Sequence, residues 1–372
     1  MRIGIITFHA SFNYGSMLQA WAMQSWLQKY GHEVKIINYR SVKQKQIYSH
    51  PFAINSLRSI LALVYKTLRF GTAYWNKRYR WNKFNDFLNS ELNISKEYNS
   101  VEELITTPLD IEVLICGSDQ IWNPKAGDFS EAYFGNFVTS SIRKIAYAPS
   151  MGQNPEELDP SIFSNLIKGF DQIAVREKRS ADFLRKYDLY PSAKVVCDPT
   201  LLLTKEDYTP LIDIRPLIEE KYLYYYAPFH HPSHLHIAKE EAQRMKLKLV
   251  VDTGYKSVRR EKDIMYVENA GPREFLNLIK NAEYVSASSY HAIIFSILFG
   301  KNFTAIDGNT DSRKMSLLNK LNITNRSAST NPYLRPTYNS LDWSIIYSRL
   351  NSLRAQSSNF LTNAIINNPT IS

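Results

Sequence analysis

Apolar residues occur along this chain in short runs, separated by stretches whose apolar positions recur every three or four residues. Residues 3–8 form the first run and read as a buried strand. A polar loop follows, and residues 17–30 then read as a helix stopped by Gly31. Glycine suits that place because it enters left-handed backbone without a Cβ clash. Residues 33–39 read as a second strand, and further short runs lie at 111–116, 144–147, 172–175 and 194–197. Unbroken apolar runs of this length fit strands covered on both faces, the situation of a parallel sheet between helices.

A second series begins at Tyr222. Strand-like runs at 222–227, 247–251, 284–287 and 303–306 alternate with helical stretches at 232–245, 273–281 and 291–299. The pattern predicts an α/β protein made of two doubly wound domains facing a cleft. The first spans residues 1–204, the second 222–330, and 205–221, with Pro210 and Pro216, is the linker. Residues 331–372 are expected to form a C-terminal helical segment with a polar tail. One stretch breaks the alternation. Residues 41–100 read as a helical insertion, with Leu57, Ile60, Leu61, Val64, Tyr65 and Leu68 at helical spacing.

Charge singles out the same insertion. The 372-residue chain carries a net charge of +10, yet residues 34–85 hold eleven Lys and Arg and no Asp or Glu. The other residues nearly balance, with 34 basic and 35 acidic side chains. Aromatic residues Phe70, Tyr74, Trp75, Tyr79, Trp81 and Phe84 interleave with Lys77, Arg78, Arg80 and Lys83. A basic amphipathic helix beside such aromatics suits an anionic membrane surface. Packing on the first domain with a solvated basic face is the plainer reading. No recognised nucleic-acid motif accompanies the patch, so nucleic acid is not an expected partner.

Composition narrows the class. Hydrophobic residues make up 44% and charged residues 22%, values for a globular protein. Cys116 and Cys197 both end apolar runs and read as small buried hydrophobes, neither a disulfide framework nor a metal site. No apolar stretch approaches the roughly 18 residues that span a bilayer, and the opening residues lack a signal-peptide core. The expected place is the cytoplasm, peripheral to the inner face of the membrane.

In open α/β sheets, ligands bind beyond the carboxyl ends of the strands. There the sequence offers Asn13, Tyr14, Gly15 and Ser16 after the first strand, and Ser118, Asp119, Gln120 and Trp122 after Cys116. Arg176 and Glu177 follow Val175, and Asp198 follows Cys197. In the second series Ser286, Ser288, Ser289 and His291 stand where a helix begins. A helix N-terminus presents unpaired N–H groups and a positive dipole end to an anion. Capping and turn formation is the plainer reading of the same Asn, Ser and Asp residues. GxGxxG, GxxxxGK[ST] and GxSxG are absent, and the histidines at 230, 231, 234 and 236 read as a loop, not a metal site.

Four segments carry a resemblance. They are Ile3-Gly4-Ile5-Ile6-Thr7-Phe8 with Asn13-Tyr14-Gly15-Ser16-Met17-Leu18-Gln19-Ala20; Gly117-Ser118-Asp119-Gln120-Ile121-Trp122-Asn123; Ala174-Val175-Arg176-Glu177 with Cys197-Asp198-Pro199-Thr200; and Gly271-Pro272-Arg273-Glu274-Phe275-Leu276 with the run from Ser288 to Lys301. Together, over residues 1–330, they resemble the polysaccharide pyruvyl transferase family. The resemblance implies two Rossmann-like domains in a GT-B-like fold. It implies a pyruvyltransferase taking phosphoenolpyruvate as co-substrate, with no cofactor and no metal, and forming a pyruvate ketal on a sugar. That sugar belongs to a surface polysaccharide or its lipid-linked precursor.

His291 matches the family's active-site histidine and is the expected general acid. Arg176 matches an arginine expected to hold the donor. Many members have an arginine where this chain has Ser289, and Arg313 is the candidate to supply that charge. Donor binding is thus assigned to Arg176, Ser288, Ser289 and Arg313. Acceptor binding is assigned to Asn13, Tyr14, Ser16, Ser118, Gln120 and Trp122, with Asp119 as candidate base. Two other readings stay open: a nucleotide-sugar glycosyltransferase on the same architecture, and a membrane-docked assembly scaffold without catalysis.

Overall fold

A computed structural model of the chain describes residues 1–49, 57–70, 72–228, 231–252, 254, 260–329 and 339–366. Seven parallel strands form the first sheet: β1 (Arg2–Ile6), β2 (Glu33–Tyr39), β3 (Ile94–Tyr98), β4 (Val113–Cys116), β5 (Arg143–Tyr147), β6 (Gln172–Val175) and β7 (Lys194–Val195). Their order is β3-β2-β1-β4-β5-β6-β7. The second sheet contains β8 (Tyr222–Tyr226), β9 (Lys248–Asp252), β10 (Ile264–Tyr266), β11 (Tyr284–Ala287), β12 (Asn302–Ile306) and β13 (Ser327–Ala328). Its order is β10-β9-β8-β11-β12-β13, again parallel. Both sheets are doubly wound, and each reverses its strand order at one point: between β1 and β4, and between β8 and β11. Such a reversal opens a crevice at the strands' carboxyl ends.

The expected α/β class and two-domain arrangement are therefore present. The insertion is shorter than the sequence suggests. Helices Val42–Ile47, Leu57–Phe70 and Thr72–Glu91 fill it, but Ile94–Tyr98 is strand β3 of the first sheet. That strand is an edge with only its last residue buried, so it shows no apolar run. β10 and β13 were hidden in the same way, being edge strands of three and two residues.

The helix Tyr14–Lys29 has thirteen buried residues because both domains pack on it. Its Tyr14 stacks on Phe275 of the second domain at 4.3 Å, and Trp21 lies against Tyr208 of the linker at 5.3 Å. One apolar core runs continuously from the first sheet to the second domain. The helix Trp343–Ile366 returns to the first domain. There Ser357 Oγ accepts the Cys197 amide at 2.9 Å and Arg354 donates to the carbonyls of Leu201 and Leu203 at 2.8 and 3.0 Å. The tail from 367 onward lies outside the described residues.

Candidate active site

Asn13 starts the first helix: its Oδ1 accepts the Gly15 amide at 2.9 Å. Ser16, on the first turn, donates to Asp119 Oδ2 at 2.5 Å. Gln19, one turn on, accepts the Ser118 amide at 3.1 Å and donates to Thr7 Oγ1 and the Ser16 carbonyl. It thereby sews the loop after β1 to the loop after β4. Gly117 must be glycine, since its φ is +134° and a Cβ would meet the Tyr147 carbonyl oxygen at 2.0 Å. Asp119 follows at φ +67°, a left-handed conformation that Asp tolerates better than most residues.

Beyond β6 stands Arg176, almost fully buried. Its Nη1 donates to Asp198 Oδ2 at 2.7 Å. Nη2 lies 3.8 Å from Asp119 Oδ1, and Nε 3.8 Å from Glu177 Oε2. Asp198, beyond β7, spends its other oxygen on the amide and hydroxyl of Thr200, capping the short helix Pro199–Leu202. Ser118 Oγ donates to the Ala148 carbonyl at 2.7 Å and lies 3.4 Å from Asp198 Oδ2.

The second domain closes this centre from the other side. Ser289 caps the helix Tyr290–Leu298, accepting the Ala292 amide at 3.4 Å. Tyr290 lays its ring 4.7 Å from the Arg176 guanidinium, in cation–π range. His291 Nε2 lies 3.4 Å from Asp198 Oδ2 without an aligned hydrogen bond. The imidazole sits directly over Gly15: a Cβ there would be 1.9 Å from Nδ1. Lys314 donates to the Ser288 and Ile306 carbonyls at 3.1 and 2.6 Å, tying the ends of β11 and β12 together. Burial pushes its ammonium down to about 8.

Electrostatics follow from burial. Desolvation alone would raise the Asp198 carboxyl, but His291 and Arg176 outweigh it and hold the group well below the usual carboxylate range. Desolvation likewise works against the Arg176 charge, and Asp198 overcomes it. Glu177 goes the other way, raised by burial despite Arg176. Its Oε1 takes the Ser180 hydroxyl at 2.5 Å and the Met151 amide at 3.1 Å. Arg176 Nε and Nη2 and His291 Nε2 are buried without a hydrogen-bond partner among the described residues. A buried donor left unmet costs about 1–3 kcal/mol, more when charged, so an acceptor brought to these groups would be favourable.

His291, Arg176, Asp119, Ser16 and Ser118 thus meet at the seam, with Ser288 and Ser289 half-buried at the helix start. Asn13 and Gln120 are half-buried beside them, and Gln120 Oε1 accepts from Asn123 at 3.0 Å. Two expectations need correction. Trp122 is a core residue, fully buried and stacked on Phe134 at 5.1 Å, not an acceptor-binding ring. Tyr14 is also fully buried, its hydroxyl donating to Asp252 Oδ2 at 2.6 Å across the seam. Arg313 stands nearby with one edge of its guanidinium engaged: Nε and Nη2 donate to the two oxygens of Asp311 at 3.0 and 2.7 Å.

Asp198 and Gly15 are the residues that the sequence assignment left out. Both stood inside quoted segments, and the Asp read as a helix cap, which it also is. The described histidines of the 231–236 loop are paired locally: His231 with Ser233, His236 with Glu240, and His234 with Asp307 at 2.9 Å; His230 lies outside the described residues. Among the described residues, no group of three His, Cys, Asp or Glu could hold a metal ion.

Fold and site together define a GT-B-like α/β protein with an Arg–Asp–His centre at the domain seam. UDP-GlcNAc 2-epimerase from Neisseria meningitidis, solved with UDP-GlcNAc, has a similar fold: TM-score 0.52 at 9% identity, covering 99% of this chain and 100% of that one. The enzyme of the same name from Methanocaldococcus jannaschii, solved with UDP-GlcNAc and UDP, gives 0.51 at 12% identity, covering 97% and 99%. No curated protein sequence matches the chain. At the family level, residues 13–310 match polysaccharide pyruvyl transferase, a stretch that takes in every residue of the centre. The chain belongs to the polysaccharide pyruvyl transferase family.

Proposed function

We propose that the protein transfers the pyruvyl group of phosphoenolpyruvate to two hydroxyls of one sugar in a surface-polysaccharide precursor, carried on lipid at a membrane face. The unmet donors of Arg176 and His291, buried side by side at the seam, carry this reading. Phosphoenolpyruvate is a compact trianion at neutral pH, and the unmet Nε and Nη2 groups of one guanidinium suit its carboxylate or phosphate bidentately. His291 protonates the methylene carbon. The adjoining carbon gains cationic character, and a sugar hydroxyl attacks it while Asp119 takes the hydroxyl proton. Phosphate leaves, and the second hydroxyl closes the ketal. Its proton departs with phosphate, and the proton on Asp119 returns the imidazole to its acid form.

Ser16 holds Asp119 in place, and Asp198 fixes Arg176 while facing His291. Positioning of this kind is worth much in catalysis, because a misplacement of about 1 Å can cost ~100-fold. Calorimetric titration of phosphoenolpyruvate into the wild type, Arg176→Ala and Arg176→Lys tests donor binding. Affinity should fall by about tenfold or more in the alanine variant, with only partial recovery in the lysine variant, which lacks the fork. Unchanged affinity in both, or no binding to the wild type, would overturn the assignment.

A further inference from the structure

The helix Leu57–Phe70 turns its apolar side outward. Ile60, Leu61, Val64, Tyr65 and Leu68 are all exposed, Leu68 to 82%. Plotted at 100° per residue they fall on one side of the helix, so the exposed side is the apolar side. A globular protein ordinarily buries such a stripe, and an exposed one marks an interaction surface. The helix packs against Thr72–Glu91, which adds exposed Trp75 and Tyr79.

The charge around this stripe identifies what covers it. Not all eleven basic residues face outward. Arg80 is buried against Asp252 at 3.1 Å and Lys83 pairs with Glu274 at 2.8 Å. Arg40 and Lys45 both pair with Glu97. Arg58 and Arg78 remain exposed on the two helices, with Lys77 half-buried between turns; Lys66 and Arg69 lie outside the described side chains. No carboxylate belongs to residues 34–85. A second copy docked symmetrically would set this mostly basic surface against itself, as an isologous contact requires. Nucleic acid would meet the arginines but has no use for a row of Ile, Leu and Val. An anionic lipid surface satisfies both features, taking the apolar side chains into its interface and the basic ones among its headgroups.

We infer that the helix pair Leu57–Phe70 and Thr72–Glu91 docks the protein reversibly on an anionic membrane. Among the described residues no helix is long and apolar enough to cross one, so the contact lies in the interface plane. Position links the surface to the active site. The helix that points Arg78 outward points Arg80 inward, 4.8 Å from the Tyr14 ring. Tyr14 precedes Gly15, over which His291 lies. The same helix reaches the second domain through Lys83–Glu274 and through Asn76 on Glu268 at 3.1 Å. Docking would therefore set the domain seam beside the lipid, which deepens the proposed lipid-carried acceptor without depending on the donor chemistry.

The test is flotation of the full chain with vesicles of zwitterionic phospholipid alone, and with anionic phospholipid added, at low and high salt. The wild type should float with anionic vesicles at low salt and less at high salt, since screening weakens surface attraction. The double variant Leu61→Glu/Leu68→Glu should bind about tenfold more weakly or worse, and Arg58→Glu/Arg78→Glu should lose the anionic preference. All four positions are exposed, so circular dichroism should show both variants folded. Failure of the wild type to bind anionic vesicles at low salt would overturn the inference. So would unchanged binding by Leu61→Glu/Leu68→Glu, or sedimentation showing a wild-type dimer that this variant splits. Phosphate release from phosphoenolpyruvate with a water-soluble acceptor, measured alongside, should be equal in wild type and Leu61→Glu/Leu68→Glu. Its absence in both would count against the donor reading and leave docking standing.

Discussion

Gly15 carries no side chain because the His291 imidazole occupies that space. Gly15→Ala would place a methyl 1.9 Å from Nδ1 and 2.5 Å from Cγ. Alanine is the better helix former by about 1 kcal/mol, so the helix itself gains. Turnover should nevertheless fall by at least about tenfold, because the displaced imidazole no longer meets the donor. Kinetics and a melting curve on the same preparation check this; normal turnover would show that the contact is incidental. Asp198 offers a pH test. Its folded pKa lies below the unfolded value of about 3.9, so its stabilisation is present above roughly pH 4 and is lost as pH falls toward the folded value. The melting-temperature gap between wild type and Asp198→Asn should shrink from about pH 5 downward. A gap constant through that window would contradict the coupling of Asp198 to Arg176 and His291.

At the scale of elements, the helix Tyr14–Lys29 explains both what the sequence pattern conveys and what it hides. Its apolar residues point in nearly every direction, since both domains cover it. Periodicity therefore announces a helix without telling which side faces which domain. Asn13 caps the helix four residues before Met17, where the sequence pattern starts it, so Tyr14 is the first helical residue and lies in the seam instead of the site. There the ring stacks on Phe275 and lies under Arg80, while the hydroxyl reaches Asp252. Tyr14→Phe keeps the stacking and removes the hydroxyl's bonds to Asp252 and to the Ala270 carbonyl at 3.1 Å. The expected loss is about 1.5–3 kcal/mol, the span for a bond to a charged group, read from denaturant unfolding. No loss would mean that Tyr224 and Arg80, which also donate to Asp252 at 3.2 and 3.1 Å, satisfy it without Tyr14.

At the scale of the molecule, the two sheets share one apolar core, a first helix packed by both domains and a last helix that returns to the first domain. Heating should give a single cooperative transition, displaced upward by phosphoenolpyruvate. Two separated transitions in calorimetry would contradict the shared core. The parallel, two-domain architecture is legible because buried central strands are unbroken apolar runs. Edge strands such as β3 escape notice because solvent on one side leaves them mixed. In the site, Arg176 and His291 are legible because each stands just past a strand in a segment of family character. The sequence did not show that Asp311, two residues from Arg313, takes the Nε–Nη2 edge of its guanidinium. Trp122 is misread because a tryptophan filling the space under a loop and one lining a cleft give the same sequence.

Transfer of a pyruvyl group at the seam of the two domains is the proposed activity. It is tested most directly by incubating the protein with phosphoenolpyruvate and a panel of lipid-linked sugars, and following phosphate release and acceptor mass together. One phosphate should be released per pyruvyl ketal gained on at least one acceptor. Folded His291→Ala should show a drop of roughly 10²–10⁴-fold, the usual reach of general acid catalysis. Phosphate release without mass gain, or a folded His291→Ala variant that works as well as the wild type, would contradict it.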